Sequence, residues 1–459
     1  MISINYALRP EDLRQKVEHL WELSAPKILS IDRDEIPGAA TPVFTAQGKY
    51  TSRGWTEWTQ GFVYGSAILQ FDAFWDEEFL AIGRERTIRR MAHHITHTGV
   101  HDHGFNNVST YGSLWRLMRE GRLAADERER DFYELALKCS GAVQASRWTH
   151  TSNGEGFIHS FNGPHSLFAD TIRSLRALAL SHRLGHVLMG ERDEKISLLR
   201  RLVQHARTTA KFAVYYGTGR DAYDLRGRVA HESIFNVNDG SYRCPNSQQG
   251  YSPFSTWTRG LAWIICGYPE QLEYIATLTD TELDTVGGRD AIEAVMLNAA
   301  RAACDFYILH TPTDGIPYWD TGAPGLAQMG DYLDRPAEPF NDHEPVDSSA
   351  AAIAAQGLLR LGHYLAASGQ AEDGKRYWQA GLTVTATLFD EPYLSTDEHH
   401  QGLLLHSVYH RPNGWDHIPA GSKIPCGESS MWGDYHAREL ALYIKRSYEA
   451  KPYLTFFGE

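Results

Sequence analysis

Apolar residues recur at intervals of three and four positions along almost the whole of this 459-residue chain. That spacing places them on one face of an α-helix, whereas the alternation typical of β-strands is sparse. The segments with helical spacing are residues 13–23, 58–74, 79–95, 132–145, 167–184, 196–216, 255–266, 291–309, 348–365, 377–388 and 432–444. The pattern predicts an all-α protein of roughly a dozen helices.

The helical segments are joined by connections that contain Gly and Pro, and no low-complexity linker separates them. Stacked helical hairpins account for this organisation better than separate domains do. We therefore predict an (α/α)6 barrel, a closed ring of six hairpins that forms a single catalytic domain over residues 1–459. Residues 1–50 would supply an N-terminal helix and a lead-in segment. Periodicity alone leaves an open solenoid as the alternative.

Small residues stand at helical intervals among aromatic ones in two segments, WTQGFVYGSAIL from Trp58 and STWTRGLAWIICG from residue 255. Gly61 and Gly65 share one helix face in the first segment, and Gly260 and Gly267 share one in the second. A glycine inside a helix costs about 1 kcal/mol relative to alanine. Close approach of neighbouring helices is the compensation that we expect.

The formal net charge of −13 argues against a nucleic-acid partner, because binding to phosphates requires a basic surface. An anionic sugar would need a local cationic pocket. The N-terminal sequence lacks the basic start and apolar run of a secretory signal, and no apolar stretch of about eighteen residues occurs. These features predict a cytoplasmic protein with no membrane partner. The five cysteines are scattered, which predicts neither a disulfide framework nor a zinc knuckle.

Aromatic residues make up 12% of the chain, with 12 Trp and 23 Tyr, and polar clusters lie among them. His101, Asp102, His103, Asn106 and Asn107 form one dense polar run. Aromatic rings stack on sugar faces, while carboxylate, imidazole and amide groups bond the sugar hydroxyls. The combination is typical of a carbohydrate-binding cleft, although core packing explains many single aromatic residues.

The stretch QQGYSPFSTWTRGLAWIICGYPE, residues 248–270, resembles the most specific motif of the unsaturated glucuronyl hydrolases, glycoside hydrolase family 88. Other segments follow in the order of that family: WTQGFVYG, HDHGF, ADTIRSLRAL, PYWD, DSSAAAIAAQGLLRL and WGDY. The resemblance implies an (α/α)6 barrel that removes the 4,5-unsaturated uronic acid from the non-reducing end of oligosaccharides produced by polysaccharide lyases. It also implies that neither a metal nor an organic cofactor takes part.

The resemblance further implies that the C4=C5 vinyl ether is hydrated and that the resulting hemiketal opens. A vinyl ether becomes electrophilic at C5 once C4 is protonated, so a carboxylic acid must donate a proton and then accept one from water. A second carboxylate nearby would raise the pKa of the first. By motif position Asp170 matches the general acid and base, and Asp102 matches the assisting carboxylate. Helix capping is the alternative role for either residue.

Further residues match family positions that line the uronate site or its entrance: Trp58, His231, Gln249, Trp257, Arg259 and Trp263. The planar fork of Arg259 suits a carboxylate, and a structural salt bridge is the alternative. The chain departs from the family pattern at Pro253, Phe254 and Leu261. The linkage preference, the adjoining sugar and the oligomeric state are therefore left open.

Four other functions compete with this hypothesis. His93 and His97 have the four-residue spacing of helical metal ligands, but no HExxH motif accompanies them. An unsaturated rhamnogalacturonyl hydrolase would share the barrel and the hydration chemistry. A polysaccharide lyase on the same fold would use Tyr or His as its base. A non-catalytic sugar-binding barrel would keep the cleft without proton transfer, and the presence of both Asp102 and Asp170 argues against it.

Overall fold

The computed structural model describes residues 1–35, 40–53, 57–124, 126–452 and 455–457. Within these ranges no helix combines the length and the apolar character needed to cross a bilayer. The α-helices are α1 Arg14–Arg33, α2 Gln60–Phe74, α3 Glu77–Arg90, α4 Ala92–Ile95, α5 His103–Asn107, α6 Ser113–Arg119, α7 Glu127–Ser146, α8 Thr171–Ser174, α9 Arg176–Arg183, α10 Leu198–Phe212, α11 Thr258–Ala276, α12 Asp280–Asp284, α13 Arg289–Leu309, α14 Ser348–Ala367, α15 Ala371–Leu388 and α16 Met431–Tyr448.

Six inner segments close into a ring. Helix α2 packs against α5, α5 against α8, α8 against α11, α11 against α14, α14 against α16, and α16 against α2. Six outer helices pack on this ring: α1 on α2 and α16, α3 on α2, α7 on α5 and α9, α10 on α8 and α9, α13 on α11, and α15 on α14. The contact between α16 and α2 excludes an open solenoid, so the predicted (α/α)6 barrel is confirmed.

The inner helices approach one another closely where glycine stands. A Cβ atom on Gly61 would lie 2.4 Å from the Cα of Asn106, and one on Gly267 would lie 2.8 Å from the backbone nitrogen of Arg173. No side chain fits at these distances. The predicted role of these glycines in close helix packing is confirmed, and it joins α2 to α5 and α11 to α8.

The predicted helix over residues 167–184 is wrong in its first part and interrupted in its second. Ser166–Phe168 form strand β5, because their backbone pairs antiparallel with residues 232–234. Helix α8 then begins at Thr171, and α9 follows from Arg176. The apolar residues of the strand happen to continue the spacing of the helix, so periodicity did not separate the two.

Short antiparallel strands lie in the connections between the helices. One sheet has three strands in the order β5, β8 and β9, and three further sheets have two strands each among the described residues. The remaining strands are β1 Pro42–Ala46, β2 Lys49–Ser52, β3 Trp148–His150, β4 Gly156–Ile158, β6 Leu188–Met189, β7 Lys195–Ile196, β8 Glu232–Phe235 and β9 Tyr242–Asn246.

A buried ionic network joins four inner segments at the centre of the ring. Arg173 of α8 donates to both carboxylate oxygens of Glu270 of α11, at 3.1 and 3.2 Å, and to Glu439 of α16 at 2.8 Å. Gln356 of α14 donates to Glu439 at 3.0 Å. Burial opposes the charge of Glu439, yet Arg173 and Arg176 lower the pKa of its carboxyl. Removing one partner of such a network would leave a buried charge uncompensated, so the network fixes how these helices meet.

Candidate active site

A cavity of about 450 Å³ is lined by residues from widely separated parts of the chain. Seven of the eight side chains predicted from the sequence lie on it: Trp58, Asp102, Asp170, Gln249, Trp257, Arg259 and Trp263. They come from the turn before α2, the residues before α5 and α8, the segment that leads into α11, and the first turns of α11. The structure therefore brings both predicted catalytic carboxylates to the same cavity.

Both carboxylates stand at a helix N-cap without capping it. Asp102 precedes α5 and Asp170 precedes α8, but neither side chain accepts a hydrogen bond from the first turn of its helix. A capping Asp normally satisfies one of those exposed N–H groups. The alternative capping role is therefore absent for both residues, and their carboxyl groups are left facing the cavity.

The imidazole of His101 lies between the two carboxyl groups. Its Nε2 is 3.4 Å from Oδ1 of Asp170 and 3.7 Å from Oδ1 of Asp102. The His101 side chain is only 1% exposed. Among the described residues, neither of its ring nitrogens forms a hydrogen bond of good geometry, and the two carboxylates are the charged groups nearest to Nε2. Phe168 meets the ring edge-on with centroids 5.5 Å apart, and Phe161 stacks on it at 6.1 Å. Apolar walls thus strengthen the electrostatic coupling of the three groups.

The three groups perturb one another's ionisation. Burial raises the pKa of Asp102, and the neighbouring Asp170 carboxylate raises it further against the opposing effect of His101. Burial also raises the pKa of Asp170, but the imidazoles of His101 and His231 outweigh it and the net pKa lies below the ordinary value. Burial lowers the pKa of His101, and the two carboxylates reverse this and raise it.

These directions correct one expectation from the sequence. Two adjacent carboxyls do push one pKa upward, as predicted, but in the unliganded cavity the raised pKa belongs to Asp102 rather than to Asp170. The physical reason is position: His101 lies closer to Asp170 than to Asp102, so its positive charge favours the carboxylate of Asp170. A proton shared by the pair is therefore bound more tightly at Asp102 than at Asp170.

Backbone contacts fix the separation of the two carboxyl groups. Oγ of Ser174, in α8, donates to the carbonyl of His101 at 2.6 Å, and Gln144 Nε2 donates to the same carbonyl at 2.8 Å. The backbone N–H of Gly104, in α5, donates to Ser174 Oγ at 2.9 Å. The two short helices that begin after Asp102 and Asp170 are thereby joined end to end.

Arg259 lines the cavity, but both of its terminal nitrogens already donate hydrogen bonds. Nη1 donates to Asp347 Oδ2 at 3.2 Å and to the carbonyl of Val408, while Nη2 donates to Gln249 Oε1 at 2.9 Å and to the carbonyl of Tyr409 at 2.8 Å. The predicted direct fork onto a substrate carboxylate would have to displace these acceptors. The salt-bridge alternative therefore describes Arg259 in this structure, and its positive charge still faces the cavity.

His231 lies behind the cavity wall, which corrects its predicted place on it. Its Nδ1 accepts from the backbone N–H groups of Gln248 and Gln249, at 3.1 and 3.3 Å. The ring packs against Phe168 and Trp257, with centroids 4.5 and 4.6 Å away. Burial lowers the pKa of His231 to about 3, so it is a neutral acceptor that shapes the segment carrying Gln249.

The aromatic side chains Trp58, Tyr409 and Trp415 line one wall of the cavity, and the buried ring of Trp432 packs behind them. Trp58 stacks on Trp432 at 5.0 Å, Trp432 meets Tyr409 at 5.4 Å, and Tyr409 meets Trp415 at 5.2 Å. Arg53 lies over Trp415 at 5.3 Å. Such a wall offers flat faces for sugar rings next to a polar floor.

Sequence reasoning missed the C-terminal part of this wall. Tyr409, His410 and Trp415 belong to the loop between residues 406 and 428, which has no helical periodicity and no motif. Asp416 holds the loop in place by accepting from the backbone N–H of Tyr409 at 2.6 Å and of His410 at 3.2 Å. The run YHRPNGWDH, rich in aromatic and imidazole side chains, was the available signal. Glu57, His97, His101, Phe105, Phe161 and Gln248 also line the cavity and were not predicted as site residues.

The histidine cluster considered as a metal site has other contacts. His94 Nε2 lies 2.6 Å from Gln60 Oε1, and its Nδ1 lies 3.2 Å from Asn106 Nδ2. Across the described ranges no group of three or more His, Cys, Asp or Glu side chains is arranged to hold a metal ion. The metal hypothesis for His93 and His97 gains no support from this arrangement.

The chain is similar to curated proteins over most of its length, while no protein-family model matches it. It is 24% identical to the unsaturated glucuronyl hydrolase of Bacillus sp. (strain GL1), over 88% of this chain and 90% of that protein. It is 26% identical to the unsaturated glucuronyl hydrolase of Formosa agariphila, over 83% of this chain and 78% of that protein. The resemblance predicted from the motifs is confirmed.

Solved structures with the same name share the fold. The unsaturated glucuronyl hydrolase of Bacillus sp. GL1 superposes with a TM-score of 0.71 at 22% identity, covering 97% of this chain and all of that one. The enzyme of Streptococcus agalactiae complexed with dGlcA-GalNAc6S superposes with a TM-score of 0.62 at 21% identity, covering 93% of this chain and 90% of that one. At these identities the structural likeness establishes the barrel.

Proposed function

We propose that this chain is an unsaturated glucuronyl hydrolase, which removes the 4,5-unsaturated uronic acid from the non-reducing end of oligosaccharides made by polysaccharide lyases. The observation that carries the proposal is the pair of uncapped carboxyl groups, Asp102 and Asp170, on one aromatic-walled cavity with His101 between them. The names of the curated relatives support the same activity.

The reaction begins when Asp170 donates a proton to C4 of the bound sugar. The π electrons of the C4=C5 double bond form the new C4–H bond, which leaves C5 electron-poor and singly bonded to C4. C5 then accepts the oxygen of a water molecule. Asp170, now a carboxylate, takes the proton that this water releases. The product is a hemiketal at C5, which opens to a ketone and expels the rest of the saccharide from C1 with a proton. One molecule of water is consumed, and Asp170 finishes protonated.

Binding in this proposal combines stacking with polar contacts. The rings of Trp58, Trp257 and Trp263 supply apolar faces around the unsaturated sugar, and Gln249 offers its amide group. Arg259 acts through its charge and through its hold on Gln249, since its terminal N–H groups already have acceptors. The substrate is an unsaturated uronic-acid oligosaccharide, and the reaction proceeds without a cofactor.

An unsaturated rhamnogalacturonyl hydrolase remains the nearest alternative, because the same carboxyl pair could hydrate pectin-derived products. A lyase would use an imidazole or a phenol of the cavity as its base, such as His410 or Tyr409. Burial lowers the pKa of His410 to about 4, which leaves it neutral and able to accept a proton at neutral pH. A non-catalytic barrel would bind the same sugars and leave them unchanged.

One assay separates these functions. Purified protein is incubated with unsaturated disaccharides prepared from glucuronate-containing and pectin-derived polysaccharides, and the ultraviolet absorbance of the conjugated enol ether is followed. We expect the absorbance to fall with the glucuronate products, and Asp170→Asn to reduce the rate at least about 100-fold. Faster loss with pectin-derived products would instead identify a rhamnogalacturonyl hydrolase. Rising absorbance with intact polysaccharide would identify a lyase. Binding of the disaccharides without turnover would identify a non-catalytic sugar-binding barrel.

We also propose that residues 1–459 act as one catalytic domain. The buried hydrophobic residues form one continuous core from Ile2 to Phe457 among those described, which supports this organisation. The cytoplasmic location predicted from the sequence stays a prediction.

A further inference from the structure

Asp170 must be protonated to begin the proposed reaction, yet its surroundings favour the carboxylate. His101 lies 3.4 Å from Oδ1 of Asp170, and the raised pKa of the pair belongs to Asp102. A proton shared by the pair is therefore bound more tightly by Asp102 than by Asp170, the group that delivers it to C4. Because the free site favours the carboxylate of Asp170, the proton that Asp170 holds at the end of one cycle returns to Asp102 when the product leaves. A route between the two carboxyls is then required before every turnover.

Geometry supplies one candidate for that route. A single nitrogen, Nε2 of His101, faces Oδ1 of both carboxyls, at 3.4 and 3.7 Å. Oδ1 of Asp170 has no hydrogen-bond partner among the described residues and is withdrawn from solvent. Asp170 itself lines the cavity, where the substrate would lie.

The backbone around His101 is fixed, whereas its ring is not held by hydrogen bonds. The carbonyl of His101 accepts from Ser174 and Gln144, while Nδ1 and Nε2 have no bonded partner among the described residues. Phe161 and Phe168 confine the ring between them. A small tilt of the ring within this slot brings Nε2 closer to either carboxyl in turn.

We propose that His101 is a positioning residue that passes a proton from Asp102 to Asp170 and orients Asp170 towards the substrate. This inference rests on the proposed hydration reaction. The imidazolium donates its Nε2 proton to Asp170, and the neutral Nε2 then accepts the proton of Asp102. The net change moves one proton from Asp102 to Asp170 and leaves His101 positively charged, as it began.

Several other charged or titratable groups interact electrostatically with His101: Asp102, Asp170, Arg147, His103, His159, His205 and His231. His97 acts on Asp102 and His103 instead. The positive charge of Arg147 lowers the pKa of His101. The three guanidinium nitrogens of Arg147 donate to the backbone carbonyls of His159, Thr98 and Ser160, so Arg147 is not oriented to pass a proton to either carboxyl group. Burial lowers the pKa of His205 and of His231 to about 3. Both are neutral when His101 is charged.

The first test is the pH profile of His101→Gln. Glutamine keeps a polar side chain of similar reach but cannot carry a proton between two groups. We expect kcat to fall about 100-fold with KM changed less than about threefold. We also expect the alkaline limb of the kcat profile to move to lower pH, since the remaining proton would be held by a carboxyl instead of an imidazole. A profile that superposes on that of the wild type would overturn the inference.

A matched control is His103→Gln. His103 is equally buried, but its ring contacts Ser140 Oγ at 3.0 Å and the carbonyl of His97 at 2.9 Å, and it does not line the cavity. We expect this variant to have a lower melting temperature and an unchanged pH profile. If both variants shift the profile alike, the effect is structural and the relay is rejected.

Two further measurements keep the inference testable if His101→Gln misfolds or if no substrate is turned over. In His101→Ala, added imidazole should restore activity in proportion to its concentration, whereas pyrazole, of the same shape but far less basic, should not. Separately, ¹⁵N NMR of histidine-labelled protein should show the His101 pKa falling in both Asp102→Asn and Asp170→Asn. If the wild-type protein is inactive on these substrates, the proposed hydrolase function is rejected. If the pKa of His101 is unchanged in Asp102→Asn or in Asp170→Asn, the relay is rejected.

Discussion

Ser174 Oγ donates a 2.6 Å hydrogen bond to the carbonyl of His101 and accepts one from the N–H of Gly104 at 2.9 Å. This single hydroxyl joins the segment that carries Asp102 to the helix that follows Asp170. The two carboxyl groups are therefore positioned by the backbone, and their own oxygens remain available for chemistry.

Gly104→Ala should reduce both catalysis and stability. A Cβ atom at this position would lie 2.2 Å from the carbonyl oxygen of Ser174, so α5 and α8 would have to separate. We expect a loss of about 1–3 kcal/mol in the free energy of unfolding. A displacement of the carboxyls by about 1 Å can cost about 100-fold in kcat. Steady-state kinetics and urea unfolding measure the two effects.

Gly190→Ala is the control, because Gly190 lies in the exposed β6–β7 hairpin with a φ of −90° and its nearest contact is the mobile end of Ile196. It should behave like the wild type. Full activity in Gly104→Ala would show that the α5–α8 contact does not set the catalytic geometry.

Arg259→Ala should destabilise the fold. The substitution leaves the carboxylate of Asp347 buried without its ion pair, and it removes the guanidinium that lies between Trp257 and Trp432, at 4.5 and 4.7 Å from their rings. We expect a loss of about 3–5 kcal/mol in the free energy of unfolding, which denaturant titration would measure. Removal of an exposed pair by Lys423→Ala should leave stability nearly unchanged. A raised KM at wild-type stability would instead return Arg259 to its originally predicted role as a direct carboxylate ligand.

Trp415→Ala should weaken substrate binding without slowing the chemical step. Trp415 lines the cavity at the end of the aromatic wall, beyond Tyr409. In the proposed function its ring would contact the sugar that follows the uronate. Stacking of this kind contributes about 0.5–1.5 kcal/mol, so KM should rise about 2–10-fold. Trp415→Phe retains a flat ring and should recover most of the affinity. An equal fall in kcat would mean that the loop, and not the stacking, had been disturbed.

Acid should destabilise the protein in the pH window of its buried histidines. Burial lowers the pKa of His94, His205 and His436 to about 3, from the ordinary value of 6.5. Below pH 6.5 the unfolded chain therefore binds protons that the folded chain does not, and stability falls as the pH decreases towards 3. Each such residue contributes up to about 1.4 kcal/mol per pH unit.

Thermal melts between about pH 7.5 and about pH 4 would measure this effect, because they cover most of the window in which the unfolded chain binds the extra protons. His205→Gln removes one of the titrating groups, and its amide oxygen can still accept from the N–H of Ile158, as His205 Nδ1 does. We expect a shallower decline of the melting temperature in this variant. A wild-type melting temperature that is constant across the window would contradict the assignment of neutral buried imidazoles.

Helical periodicity predicted the barrel well where helices have one apolar face, as α1, α3 and α7 do. It failed for residues 103–119, which form α5, α6 and the wide turn between them. Nearly every residue there is buried, but buried polar side chains such as Asn106, Asn107 and Thr110 interrupt the apolar spacing that indicates a helix. Their polar side chains are satisfied by hydrogen bonds within the core, which no local pattern records.

The site was predictable where chemistry is carried by a motif. Asp102, Asp170 and the Gln249–Trp263 stretch were located from the sequence and lie on one cavity. The hydrogen bonds that occupy the guanidinium group of Arg259 could not be predicted from the sequence, because two of their acceptors are backbone carbonyls of a loop about 150 residues away. The place of His101 depends on the contact between α5 and α8, which exists only in the folded ring.

The cavity is complete only when α16 packs against α2 and closes the ring. Trp58 precedes the first inner helix and Trp432 lies in the last, and their rings stack only once the two ends of the circle have joined. A chain with five inner segments assembled would have every catalytic side chain and no enclosed place for a sugar. During refolding, ligand binding should therefore be the last property to return, after secondary structure and after most burial of the core.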